Sequence, residues 1–190
     1  TGDATDFGDL ENKAYNVSGM STRTRGVAAC GQKGPSFAAV NTIEFITIAS
    51  TGNANDFGDL STVRTIVAPA ASSTRGLFAG GHDTTNVIDY ITISSLGNAQ
   101  DFGDLQSGAA RKGMLSCSNS TRGLFAGGET PSNSNIIDFV TIATLGNGQN
   151  FGDLTFVTNT SSGTSSPTRG IFAGGSADTI DKVEILTTGD

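Results

Sequence analysis

The tetrapeptide Phe-Gly-Asp-Leu occurs four times, at residues 7–10, 57–60, 102–105 and 151–154, with spacings of 50, 45 and 49. Thr-Arg-Gly follows each copy, at residues 24–26, 74–76, 121–123 and 168–170. A third block, rich in Ile, Val and Asp, comes after that, at residues 41–48, 86–93, 135–142 and 178–185. Three motifs in one order, four times over, define an internal repeat with copies at about 1–50, 51–95, 96–144 and 145–190 of one domain. A repeat of this size cannot bury its apolar face alone, so neighbouring copies must pack on one another.

Each copy reads as four short strands. β-branched and aromatic residues sit in short runs between Gly- and Asn-rich turns, and no long segment carries a 3.6-residue apolar period. Glycine is abundant, at 26 of 190 residues. The sequence predicts strands at the Asp-Phe-Gly-Asp-Leu segment, at runs such as 65–71 and 112–118, at Gly-Leu-Phe-Ala-Gly, and at the third block. The last of these is apolar on both faces: Ile88 and Tyr90 point one way, Ile91 and Ile93 the other. A strand buried on both faces belongs to a sheet held between other sheets. The expected fold is all-β: a four-bladed β-propeller of four four-stranded antiparallel blades, built from 45–50-residue repeats.

The run Thr-Arg-Gly-Leu-Phe-Ala-Gly-Gly, followed by Val-Ile-Asp-Tyr-Ile, resembles the kelch repeat, with a Phe standing in for the blade Trp, a residue this chain lacks. The longer pattern of Asp-Tyr-Ile-Thr-Ile, Gly-Asn-Ala, Asp-Phe-Gly-Asp-Leu and Ser-Thr-Arg-Gly is similar to repeats in tail-fibre and other virion proteins of marine bacteriophages. That resemblance covers nearly the whole chain and implies a virion or extracellular location.

Net charge is −7, which argues against nucleic-acid backbones and anionic membranes as partners. No apolar run is long enough to span a bilayer. The first residue is Thr1, so the chain is expected to be cut from something longer, and the parent can carry further repeats. Cys30 and Cys117 are too few for a disulfide framework, fall in opposite blades, and read as small core residues.

Catalytic constellations lack their parts. Asp-Phe-Gly is a structural corner here, with Phe for the core, Gly for the bend and Asp for turn amides. His82 is the one histidine, and it lies in a polar loop. No zinc site or Ser-His-Asp triad can be assembled around it. Asp or Asn oxygens recur at three-residue steps: Asp3, Asn53, Asn98 and Asn147, then Asp6, Asp56, Asp101 and Asn150, then Asp9, Asp59, Asp104 and Asp153. Such a set can hold Ca²⁺, but it lacks the Asp-x-Asp-x-Asp-Gly loop, and turn chemistry accounts for it. No other cofactor is expected. Two more rings recur: acids Glu44, Asp89, Asp138 and Asp181, and cations Arg25, Arg75, Arg122 and Arg169. They read as repeated ion pairs or hydrogen bonds between neighbouring strands or blades; the competing reading is a charged tunnel or a grip on an acidic sugar.

Function in a repeat protein sits where the copies diverge. The loop after Gly-Gly varies most, holding 11, 6, 8 and 4 residues. Its side chains supply the binding candidates: Lys33 and Phe37, His82 and Asp83, Glu129 and Asn133. The expected function is a non-enzymatic binding or structural module, binding a host-surface glycan or other virion proteins. The alternatives are a glycan hydrolase using a carboxylate pair and a purely architectural virion part. Ring closure is expected within one chain, giving a monomer with each blade built from one repeat.

Overall fold

The computed structural model describes residues 2–11, 13–29, 31–82, 85–106, 110–160, 162–175 and 178–187. Among these residues every regular element is a β-strand and every pairing is antiparallel. The first sheet runs in the order Ser18–Ser21, Arg25–Ala29, Thr42–Thr47, Asn55–Asp59. The second repeats it with Ala68–Ala71, Arg75–Ala79, Val87–Thr92 and Gln100–Asp104. The third uses Leu115–Ser118, Arg122–Ala126, Ser132–Thr141 and Gln149–Thr158, with the short strand Glu129–Thr130 folded onto Ser132–Thr141. The fourth has three strands, Ser162–Ser165, Arg169–Ala173 and Ile180–Glu184.

Sheet and repeat are therefore offset by one strand. The Phe-Gly-Asp segment is the last strand of the preceding sheet: Ile43 pairs with Gly58, Ile88 with Gly103 and Ile137 with Gly152. The sequence expectation, with this segment opening each blade and every blade built from one repeat, is corrected on this point. Among the described residues no sheet strand pairs with residues 7–9, and the fourth sheet has no fourth strand.

The sheets pack in series through three apolar layers. Val27, Ile43, Phe57 and Leu60 of the first sheet and its Leu extension meet Phe78, Ile91 and Ile93 of the second. Leu77, Ile88, Phe102 and Leu105 meet Phe125, Val140 and Ile142. Leu124, Ile137, Phe151 and Leu154 meet Phe172 and Ile185. The two-faced strand behaves as its pattern predicts: Ile88 faces the layer toward the third sheet, and Ile91 and Ile93 face the layer toward the first.

The Phe-Gly-Asp corner clamps successive repeats. The Gly97 amide donates to the Phe57 carbonyl at 2.8 Å and the Ala99 amide to the Asp59 carbonyl at 2.8 Å, while the Asp59 amide donates to Asn98 Oδ1 at 3.1 Å. The same bonds join residues 7–9 to 52–54 and 102–104 to 146–148. A Cβ on Gly58 would stand 2.5 Å from the Gly97 carbonyl oxygen, at a φ of +142°, so only glycine lets the two chains approach. The Thr-Arg-Gly glycine serves a similar close contact: a Cβ on Gly170 would lie 2.6 Å from Cys117 Sγ.

Candidate functional site

The first strands of the four sheets, Ser18–Ser21, Ala68–Ala71, Leu115–Ser118 and Ser162–Ser165, are edge strands lying side by side. Serine hydroxyls join them. Ser18 Oγ donates to the Val67 carbonyl (2.7 Å), Ser116 Oγ to Pro69 (2.6 Å), and Ser165 Oγ to Ser118 (2.6 Å). Just before each edge strand one residue takes a left-handed φ: Asn16 at 57°, Ile66 at 58°, Gly113 at 64° and Thr160 at 53°. The Thr160 amide donates to the Gly113 carbonyl at 2.8 Å.

These four positions and the strands that follow them line one open cleft of about 440 Å³. Its lining includes Asn16, Ser18, Ile66, Met114, Thr160 and Ser162, and no lining residue carries a formal charge. The cleft thus takes equivalent positions from all four repeats and offers amide and hydroxyl groups over apolar walls.

The described parts of the first three Gly-Gly loops bond the segments that lead into these strands. The Gly81 amide donates to the Arg111 carbonyl, the His82 amide to Thr65, and the Gly128 amide to Thr158. In the first repeat the loop builds a small sheet of Ala14–Tyr15, Gln32–Lys33 and Ala38–Ala39. That sheet sets Tyr15 and Phe37 ring to ring, centroids 5.1 Å apart, both more than half exposed. Asn16 Nδ2 donates to Gln32 Oε1 at 2.9 Å beside them.

Of the loop candidates, Lys33 pairs with Ala14 in the small sheet and Phe37 stacks on Tyr15. His82 is exposed beside Thr65. Glu129 stands opposite Asn133 in a hairpin, where it accepts from Asn159 Nδ2 (3.1 Å) and lies 3.8 Å from Lys112 Nζ. Asp83 and Cys30 lie outside the described residues. The described parts of the first three loops bond segments next to the cleft, but the cleft itself is made by the segment before the edge strand. Four different residue types occupy its key position, Asn16, Ile66, Gly113 and Thr160, so no repeated letter marks it.

Among the described residues the two charged rings do not pair with each other; of the ion pairs or hydrogen bonds expected between strands or blades, it is hydrogen bonds that form. The acids hold the backbone that follows Phe-Gly-Asp-Leu. The Glu11 amide donates to Glu44 (3.2 Å), Ser61 to Asp89 (3.0 Å) and Thr155 to Asp181 (2.9 Å). The arginines reach the next repeat: Arg25 donates to Ile93 O (2.6 Å), Arg75 to Ile142 O (3.1 Å) and Arg122 to Ile185 O (3.0 Å). Each of these three guanidiniums also covers an aromatic ring, that of Phe45, Tyr90 or Phe139. Arg169 instead bonds Glu184 at 3.0 Å.

The acids find other partners in the middle repeats. Arg64 bonds Asp89 at 2.9 Å, and Arg111 bonds Asp138. All four side chains are buried. Burial pushes the Asp138 carboxyl up and the Arg111 guanidinium down, against the pull each exerts on the other. Sequence reasoning missed both arginines, since the equivalent residues in the outer repeats are Ala14 and Thr158.

The Asn oxygens of the calcium-like pattern are engaged with amides of the preceding repeat, as Asn53 is with Asp9 and Asn98 with Asp59. Among the described residues no three His, Cys, Asp or Glu side chains gather as a metal site would require. Cys117 is a free, buried thiol, and burial pushes its pKa up to about 12. Comparison with protein families finds none that matches the chain, and comparison with curated proteins finds no relative.

Proposed function

We propose that the chain is a non-catalytic binding module, a propeller-like array of four blades whose cleft takes a neutral, polyhydroxylated ligand such as a surface glycan. One observation carries the reading. A cleft fed by all four repeats is lined by uncharged amide, hydroxyl and apolar groups, and an exposed Tyr15–Phe37 pair includes the residue next in sequence to its lining residue Asn16. Sugars present hydroxyls on one side and C–H faces on the other. Amides and hydroxyls bond the first, and aromatic rings cover the second. The uncharged lining favours neutral glycans over the acidic sugar suggested by the arginine ring. A virion setting, with a host-surface glycan or another virion protein as partner, rests on the repeat resemblance alone.

A glycan array followed by titration tests this. Neutral oligosaccharides should bind, and the double variant Tyr15→Ala/Phe37→Ala should weaken them about tenfold, a loss of roughly 1.4 kcal/mol. Both rings are exposed, so the variant keeps the fold. Binding confined to acidic glycans, or unchanged in the double variant, contradicts the reading. Polysaccharide turnover that disappears on changing one carboxylate restores the hydrolase alternative.

A further inference from the structure

Both ends of the array leave open what every internal junction fills. At the far end, Ile180 is 68% exposed, whereas its counterparts Ile43, Ile88 and Ile137 are at most 1% exposed. At the near end, Leu10 and Ile48 are each 42% exposed, whereas Leu60, Leu105 and Leu154, and Ile93, Ile142 and Ile185, are buried. The strand Ile180–Glu184 pairs with Arg169–Ala173 on one side, and no described strand pairs with its other edge. Residues 7–9 bond the turn at 52–54, as their counterparts do in later repeats, but lack the sheet partner those counterparts have.

We propose that the Phe-Gly-Asp-Leu segment at residues 7–10 of one copy adds as the fourth strand to Ile180–Glu184 of a second copy, joining chains head to tail. The two open features are the two halves of a junction that the molecule already builds three times. The register follows from Ile43 opposite Gly58 and Glu44 opposite Asp56: Ile180 stands opposite Gly8, and Asp181 opposite Asp6. Main-chain bonds supply the attachment, and Phe7 and Leu10, whose counterparts Phe57 and Leu60 share one apolar layer, supply the apolar contact. Phe57 meets Phe45 edge-on in the first sheet, at 6.1 Å between centroids. Lys182 occupies the place of Phe45 in the fourth repeat, so Phe7 meets a cation there.

The end faces agree with this arrangement. Ala28 stands where the second, third and fourth repeats carry the buried Phe78, Phe125 and Phe172. Beside it lies an apolar hollow of about 180 Å³, lined by Leu10, Gly26, Ala28, Ile46 and Ala54 among others, which receives the face carrying Ile171 and Ile180. Arg169, bonded to the exposed Glu184 in the single chain, turns to the Ile48 carbonyl of the second copy, as Arg25 does to Ile93. Such an interface is heterologous: different patches meet, so association extends beyond a pair unless the chains close into a ring.

Sedimentation or light scattering across micromolar to millimolar concentration tests the proposal. The full chain should show mass rising with concentration in multiples of 19.3 kDa. Leu10→Asp blocks the strand end, and Ile180→Asp blocks the edge end. Both positions are exposed in the single chain, so each variant folds. Each alone should remain at 19.3 kDa, while their mixture should form a one-to-one dimer, because each keeps the end the other has lost. A full chain that stays at 19.3 kDa throughout, variants that still associate alone, or a mixture that does not pair overturns the proposal.

Discussion

The second and third repeats each bury a guanidinium against a carboxylate; the first and fourth carry the carboxylate without it. Asp89 and Asp138 are fully buried beside Arg64 and Arg111, whereas Glu44 and Asp181 are 8% exposed and bond main-chain amides alone or with a hydroxyl. The difference follows the number of neighbours. A repeat packed on both faces loses the water that would otherwise solvate its acid, and a cation has to replace that water. The middle of the array is therefore held by interactions that fail badly when half removed, and the ends by contacts that can be opened.

The largest loss is expected from Arg111→Met, which leaves Asp138 buried without its cation. The expected loss is about 3–5 kcal/mol, seen as a fall in Tm on the order of 10 °C. The double variant Arg111→Met/Asp138→Leu should recover at least about 1 kcal/mol of it. At the corresponding place in the fourth repeat, Thr158→Ala removes a neutral hydroxyl that bonds the Gly174 carbonyl and should cost about 1 kcal/mol. Equal losses at the two sites would remove the distinction.

The arginine ring gives a second contrast. Arg75 bonds the Ile142 and Ala143 carbonyls and lies 4.8 Å over the Tyr90 ring, so Arg75→Ala should cost about 2 kcal/mol. Arg169 makes an exposed ion pair with Glu184, and Arg169→Ala should cost less than about 1 kcal/mol in the single chain. Denaturant unfolding of the two variants reads the difference.

A smaller effect sharpens the view of the third junction. The thiol of Cys117 is held up to about 12 by burial against Gly170. An acid whose folded pKa is raised leaves stability unchanged below its unfolded pKa, about 8.5 by reference, and lowers it as pH climbs from there toward the folded value. Between pH 9 and pH 10 the chain should lose about 1 kcal/mol that Cys117→Ala does not lose. Matching pH profiles for the two proteins would mean that the thiol is not buried at that junction.

The repeat itself, the two-faced strand and the Phe-Gly-Asp corner were legible in the sequence because each depends on residue identity. Ile88 and Ile91 face opposite layers because alternation forces them to, and Gly58 is glycine because a backbone approaches it. The offset of sheet from repeat was not legible. Residues 55–59 could pair forward or backward in sequence with equal local propensity, and only the packed sheets choose. The cleft was hidden for a related reason. Asn16, Ile66, Gly113 and Thr160 share a backbone conformation and no side-chain chemistry, so a search for repeated letters passes over them. Arg64 and Arg111 look like drift for the same cause: a residue present in two copies of four reads as variation until burial shows what it does.

Protection in this array follows neighbours rather than sequence, and amide hydrogen exchange on the dilute, monomeric chain reads it strand by strand. The matched strands Arg25–Ala29, Arg75–Ala79, Arg122–Ala126 and Arg169–Ala173 are near copies with the same pairing. Exchange should be slowest in Arg75–Ala79 and Arg122–Ala126, faster in the two outer strands, and fastest among sheet amides in Ile180–Glu184 along its open edge. Uniform protection across all four strands, or an Ile180–Glu184 strand as slow as Val87–Thr92, would contradict it.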